Sequence, residues 1–108
     1  AAVLSAHGTT VVGCNIENAS YGLVCCAERV AMFAALAQGH KQLVALAVTC
    51  PDGDPKVPSN LMPCGACRQV MAELLDPGAV IIVDRVGRFR IDDLLPLPFT
   101  FRPGNSTG

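Results

Sequence analysis

The sequence predicts an α/β domain with helices layered on a mixed sheet. Three observations predict it. Strand-like and helix-like segments alternate along the chain, one apolar run shows no alternation at all, and Gly, Pro and Asn clusters punctuate the boundaries.

Ala1 to Ser5 reads as a short strand, His7-Gly8 as a turn, and Thr9 to Gly13 as the returning strand of a hairpin. Cys14 to Leu23 is a loop, because its Asn, Ser and Gly favour irregular backbone. Composition leaves that loop two readings: a solvated connection, or a binding surface built on Asn, Glu and Tyr. Cys26 to Gln38 is the first helix. Ala27, Val30, Ala31, Ala34 and Ala37 are small enough to approach a sheet, while Phe33 and Leu36 add bulk. Gly39 suits the position just past a helix end. Leu43 to Cys50 is the unbroken apolar run, which suits a central strand covered on both faces.

Pro51 to Met62 is a Pro- and Asp-rich loop. Pro63 then opens a second helix at a favoured early position. That helix runs to about Leu75 and stops before Asp76-Pro77-Gly78. Val80 to Val83 is a buried strand, Gly87 turns the chain, and Arg88 to Ile91 returns beside it. Asp92 to Leu95 forms one helical turn before Pro96. Residues 102–108, rich in Gly, Ser, Thr, Pro and Asn, form a frayed tail, which leaves one domain over 1–101.

At 108 residues the chain has room for one domain and not two. It is 51% apolar and 16% charged, with a mean hydropathy of +0.42. Such a balance implies a well-filled core together with apolar surface spent on subunit contacts. The formal net charge is -1, with eight basic and nine acidic residues and no basic run. Neither a nucleic-acid partner nor a membrane surface is therefore expected. No apolar run approaches the ~18 residues of a transmembrane helix, and no signal peptide is expected ahead of Ala1. The six cysteines favour a reduced, metal-binding, cytoplasmic protein over a disulfide scaffold.

Candidate chemistry concentrates in Val24-Cys25-Cys26-Ala27-Glu28-Arg29 and Pro63-Cys64-Gly65-Ala66-Cys67-Arg68. Cys64 and Cys67, three positions apart in a first helical turn, present both sulfurs on one side within reach of one ion. Free N–H groups and the positive helix end favour their thiolates, and Cys26 gains the same help at the other helix start. The Cys-x-x-Cys pair alone would also fit a structural zinc site or a redox dithiol. A closed structural site needs a fourth ligand. Cys14, Cys25, Cys50, His7 and His40 could be offered, but none falls at a paired spacing with Cys26. A redox dithiol leaves Cys26 and Glu28 without a task, although Glu28 by itself would read as a helix N-terminal carboxylate. The two helix starts can meet at one sheet edge, where open α/β sheets place their ligands.

Cys-Ala-Glu joined to a downstream Cys-Gly-Ala-Cys resembles the zinc deaminases. Gly13 to Leu23, Cys26 to Arg29, Pro63 to Val70 and Asp93 to Pro96 are similar to runs of the small cytidine deaminases, over roughly residues 1–99. The resemblance implies a three-layer α/β/α fold with a mixed five-stranded sheet. It implies that Cys26, Cys64 and Cys67 hold a zinc ion (Zn2+) whose fourth position stays open for water. Glu28 would then shuttle protons between that water and the substrate. Asn15 and Glu17 would hold the ribose hydroxyls, and the backbone of Ala27 would contact the pyrimidine edge. Tyr21 and Phe99 would reach into a neighbour's site in a homotetramer; without the resemblance, Phe99 and Phe101 would read as core residues.

Three thiolates leave the site with excess negative charge. Arg29 and Arg68, beside the ligands, would relieve it by hydrogen bonds to sulfur. The implied reaction is hydrolytic deamination of cytidine and 2′-deoxycytidine to uridine and 2′-deoxyuridine with release of ammonia, a step of pyrimidine salvage. The alternatives are another aminopyrimidine nucleoside as substrate, or a structural zinc interaction module. The resemblance also places a leading helix and a base-stacking Phe ahead of Ala1, and an acidic ending that this tail lacks.

Overall fold

The computed structural model describes residues 1–101. Its elements are β1 (Ala2–Ser5), β2 (Thr10–Val12), α1 (Ala27–Ala37), β3 (Leu43–Val48), α2 (Gly65–Leu74), β4 (Leu75–Val83), β5 (Gly87–Phe89) and α3 (Ile91–Leu94). Short 3-10 turns form at Tyr21–Leu23 and Pro58–Leu61. The five strands make one mixed sheet in the order β2-β1-β3-β4-β5, with β3 and β4 parallel and the other pairs antiparallel. The expected α/β class and mixed five-stranded sheet are those observed. No helix among the described residues is long and apolar enough to cross a membrane.

Pairing places Val11, Val3, Leu46 and Ile81 side by side on one face of the sheet, and all four are buried. Alternation along each strand fixes this face. α1 packs over β1, β2 and β3 and touches α2, which in turn touches α3. The opposite face carries Ala2, Leu4, Ala45, Ala47, Val80 and Ile82, which are half-buried or exposed. Of the three layers expected, the sheet and one helical layer are thus present among the described residues. Among the described residues β3 is covered on one face, where two were expected; the small Ala45 and Ala47 of its apolar run sit on the other side.

Four local expectations are corrected. The buried stripe of α1 is Glu28, Ala31, Met32 and Ala35, an i, i+3, i+4, i+7 set. It lies one step around the helix from most of the small residues singled out, and Phe33 and Leu36 are at the surface. The helix is apolar on nearly every side, so periodicity alone does not fix its phase. α2 starts later than expected, with Cys64 as its N-cap and Pro63 outside it. No turn separates α2 from β4. Leu75 opens the strand, Asp76-Pro77-Gly78 follow within it, and the register jumps from Leu43↔Leu75 to Ala45↔Val80 across them. Pro77 cannot donate to a ladder, so this stretch is the irregular part of the pairing. Finally, the last hairpin turns at Asp84–Val86, with Arg85 at φ +67°, and Gly87 already belongs to β5.

Gly13 sets the approach of the hairpin to α1. Its backbone pairs with Ala1, and a Cβ there would lie 2.4 Å from Ala31 N and 2.7 Å from Ala27 O. Any side chain would push α1 away and displace Ala27 and its neighbours. Gly13→Ala is therefore expected to cost ~1–3 kcal/mol, as overpacking generally does, read as a lower urea midpoint with an unchanged slope. The expected tail at 102–108 lies outside the described residues.

Candidate functional site

Two helix starts and the loop after β3 build the site. Cys26 is the N-cap of α1 (φ -69°, ψ 154°) and Cys64 the N-cap of α2 (φ -71°, ψ 170°), both in extended backbone. Cys67 is the third residue of α2, and its N–H donates to Cys64 Sγ at 3.5 Å. Cys26 Sγ lies 3.9 Å from Cys64 Sγ, which lies 3.5 Å from Cys67 Sγ. All three sulfurs are within 4.8 Å of one another, and no fourth Cys, His, Asp or Glu among the described residues completes the cluster. Tetrahedral zinc with Zn–S distances of about 2.3 Å separates its sulfurs by about 3.8 Å, so the donor set fits this ion with one position to spare.

The electrostatics also call for a cation. Burial opposes ionisation of Cys64. Yet the N–H groups of Cys67 and Ala66, with the sulfurs of Cys67 and Cys26, hold its thiol below the ordinary value. Cys67 is pushed up, first by burial and then by the charge of Glu28 and the other sulfurs. Three sulfurs and a carboxylate crowd a partly dry space, and a divalent ion compensates them together.

Arg29 supplies part of the compensation. Its Nη2 lies 3.6 Å from Cys26 Sγ and 3.5 Å from Val24 O, while its Nε is buried without a partner. The bond to Cys26 raises the Arg29 pKa above its ordinary value, against the opposing effect of burial. Arg68 behaves otherwise. Its Nε donates to Pro63 O and its Nη1 to Leu94 O, each at 2.9 Å, and no bond joins it to a sulfur. The expected Arg68–sulfur contact is therefore corrected to a pair of backbone contacts.

A cleft of about 510 Å³ opens beside the sulfurs, walled by Asn15, Cys26, Ala27, Glu28 and Cys64. Glu28 is only 6% exposed, at the end of the buried stripe of α1. Asn15 donates its side-chain amide to the Glu17 carboxylate, so Glu17 sits behind a residue that lines the cleft. Tyr21 and Phe99 are not brought there; they are 88% and 71% exposed and line no part of it. Phe101 is also exposed, not in the core. The opposite wall is the β3–α2 loop, with Cys50, Asp52 and Asn60, which sequence reasoning passed over as a connection. Its position just past the C-terminal end of β3 was the available signal.

Comparison with known proteins agrees with this geometry. Residues 1–83 match the family model described as the cytidine and deoxycytidylate deaminase zinc-binding region. The chain is 44% identical over 104 residues to a cytidine deaminase of Halalkalibacterium halodurans, covering 93% of this chain and 75% of that protein. It is 46% identical over 100 residues to a cytidine deaminase of Mycobacterium tuberculosis, covering 92% and 70%. Among solved structures, the cytidine deaminase from Burkholderia pseudomallei superposes with a TM-score of 0.78 at 41% identity, covering 91% of this chain and 78% of that one.

Proposed function

The chain belongs to the zinc-binding family of cytidine and deoxycytidylate deaminases, and from that membership we propose how its own residues share the reaction. It is a zinc-dependent hydrolase of the cytidine deaminase type, acting on a nucleoside and releasing ammonia. Cys26, Cys64 and Cys67 hold the zinc, which supplies Lewis acidity at the floor of the cleft when bound.

Glu28 takes a proton from the attacking water and gives it to N3 of the base, then takes the second from the new C4 hydroxyl and gives it to the departing amino group. Its burial on the cleft wall beside Cys26 and Cys64 supports this role. Ala27, on the same wall, offers its backbone to the pyrimidine edge. Asn15 and Glu17, already hydrogen-bonded to each other, suit a diol that needs both a donor and an acceptor. That pair favours a ribose, with 2′-deoxycytidine accepted through the remaining hydroxyl. Arg29 draws charge from Cys26 Sγ.

The exposure of Tyr21 and Phe99 supports a role for each in a neighbouring subunit's cleft, and hence a homotetramer. Surface Phe33 and Leu36 on α1 provide apolar area for such contacts. All six cysteines are free, which fits the reducing cytoplasm.

The observation that carries this reading is a three-sulfur cluster whose Cys26 and Cys64 line one cleft together with the buried Glu28. The test is the fall in ultraviolet absorbance as cytidine becomes uridine. Turnover should vanish with a zinc chelator and return with added zinc. Turnover indifferent to complete zinc removal, or none in the zinc-loaded protein, contradicts it.

A further inference from the structure

We infer that Arg68 and Gln69 are positioning residues that tie the metal-ligand turn at Cys64 to the C-terminal segment carrying Phe99. Arg68 donates from Nε to Pro63 O and from Nη1 to Leu94 O, and Gln69 donates from Nε2 to Phe99 O at 2.7 Å. Two adjacent side chains of α2 thus hold three backbone carbonyls from two separate parts of the chain.

Each carbonyl held by Arg68 lacks a partner in its own element. Pro63 O precedes the N-cap of α2, where the extended backbone of Cys64 turns it out of the helix. Leu94 closes α3, and the last carbonyls of a helix have no intrahelical donor. Pro63 and Leu94 are both buried, so water is a poor substitute. A guanidinium presents its N–H groups in a rigid planar fork. Bridging the two carbonyls with it therefore fixes the peptide before Cys64 relative to α3, and with it the direction from which Cys64 Sγ enters the cluster. Arg29 is bonded to sulfur and Arg68 is not, so the two arginines beside the ligands act differently: one on charge, the other on geometry.

Gln69 holds the far end of the same segment. It keeps Phe99 at a defined place beside α2, in a shallow groove with Phe33, Val70 and Leu74. Cys64 and Phe99 thus depend on one short stretch of helix. The inference rests on the zinc site and on the neighbour-directed role of Phe99 proposed above.

The test compares Arg68→Lys, Gln69→Ala and the parent, each loaded with zinc or with cobalt(II). Lysine keeps the charge but cannot bridge both carbonyls. R68K should shift the cobalt–thiolate absorption bands, release zinc to a chromogenic chelator at least ~10-fold faster, and lower kcat with little change in KM. A merely structural role would lower Tm and leave the cobalt bands in place. Q69A should keep the parent's bands and zinc release but raise KM for cytidine several-fold. Should R68K not fold, Arg68→Gln is measured in its place. Bands and zinc release like the parent's in the Arg68 variant overturn the first half, and an unaltered KM in Q69A overturns the second. A parent that binds neither metal at the sulfurs overturns the zinc site itself, which separates the two failures.

Discussion

Glu28→Gln is expected to keep one zinc per chain and lose roughly 10²–10⁴-fold in kcat for cytidine, the usual worth of a positioned general acid–base. Glutamine has almost the same shape as glutamate, so the buried stripe of α1 stays filled alongside Ala31, Met32 and Ala35. Glu28 is not one of the clustered metal donors, so its loss leaves the sulfurs free to hold the ion. The substitution even removes a charge that pushes the Cys67 thiol up. Zinc content by elemental analysis and turnover by absorbance separate the two effects. Zinc retained with near-parental activity would remove Glu28 from the proton path.

Cys67→Ser should abolish both zinc binding and turnover. Cys67 is fully buried, in contact with Cys64 Sγ and with the core beneath α2. Serine roughly preserves volume but offers no thiolate. The loss of zinc affinity should exceed the ~10–100-fold that removing a residue hydrogen-bonded to a ligand costs. In the parent, saturating zinc at about 1,000 times its dissociation constant adds about 4 kcal/mol to stability, and the variant should show no such zinc-dependent rise in Tm.

The same residue gives the parent a pH dependence. Burial and Glu28 raise the Cys67 pKa, so the metal-free protein keeps that proton at neutral pH. Zinc must displace it, and affinity therefore rises with pH, by about tenfold per unit for each proton released. Competition with a chromogenic chelator between about pH 6 and about pH 8 should show this slope in the parent, and an affinity independent of pH would contradict it.

Much of this was legible because the site is written in local signals. Cys26 and Cys64 read as helix starts, and both are N-caps. The hairpin of β1 and β2 follows from apolar runs and a turn, and the mixed sheet from the alternation of strands with helices. Other features depend on tertiary context. The phase of α1 was ambiguous because Ala, Met, Phe and Leu occupy nearly every side; the buried Glu28 marks the true stripe. Asp76-Pro77-Gly78 carry turn chemistry, yet pairing with β3 draws them into β4.

The two arginines differ in the partners that tertiary structure offers them. Arg29 lies three residues after Cys26 and so comes back alongside its sulfur. Arg68 lies four residues after Cys64, a spacing that also allows a sulfur contact, but its fork is taken by the carbonyls of Pro63 and Leu94, one of them brought there by the tertiary fold. Phe99 and Phe101 show the limit of composition: an aromatic default to the core fails where a chain carries apolar residues at its surface.

X-ray absorption at the zinc edge of the purified protein tests the central claim most directly. The predicted spectrum has three sulfur scatterers at about 2.3 Å and one light scatterer from outside the protein's sulfurs, with a Cys64→Ala variant either losing zinc or keeping no more than two sulfur scatterers. A shell of four sulfurs, an imidazole scattering pattern from His7 or His40, or no zinc at all would contradict it.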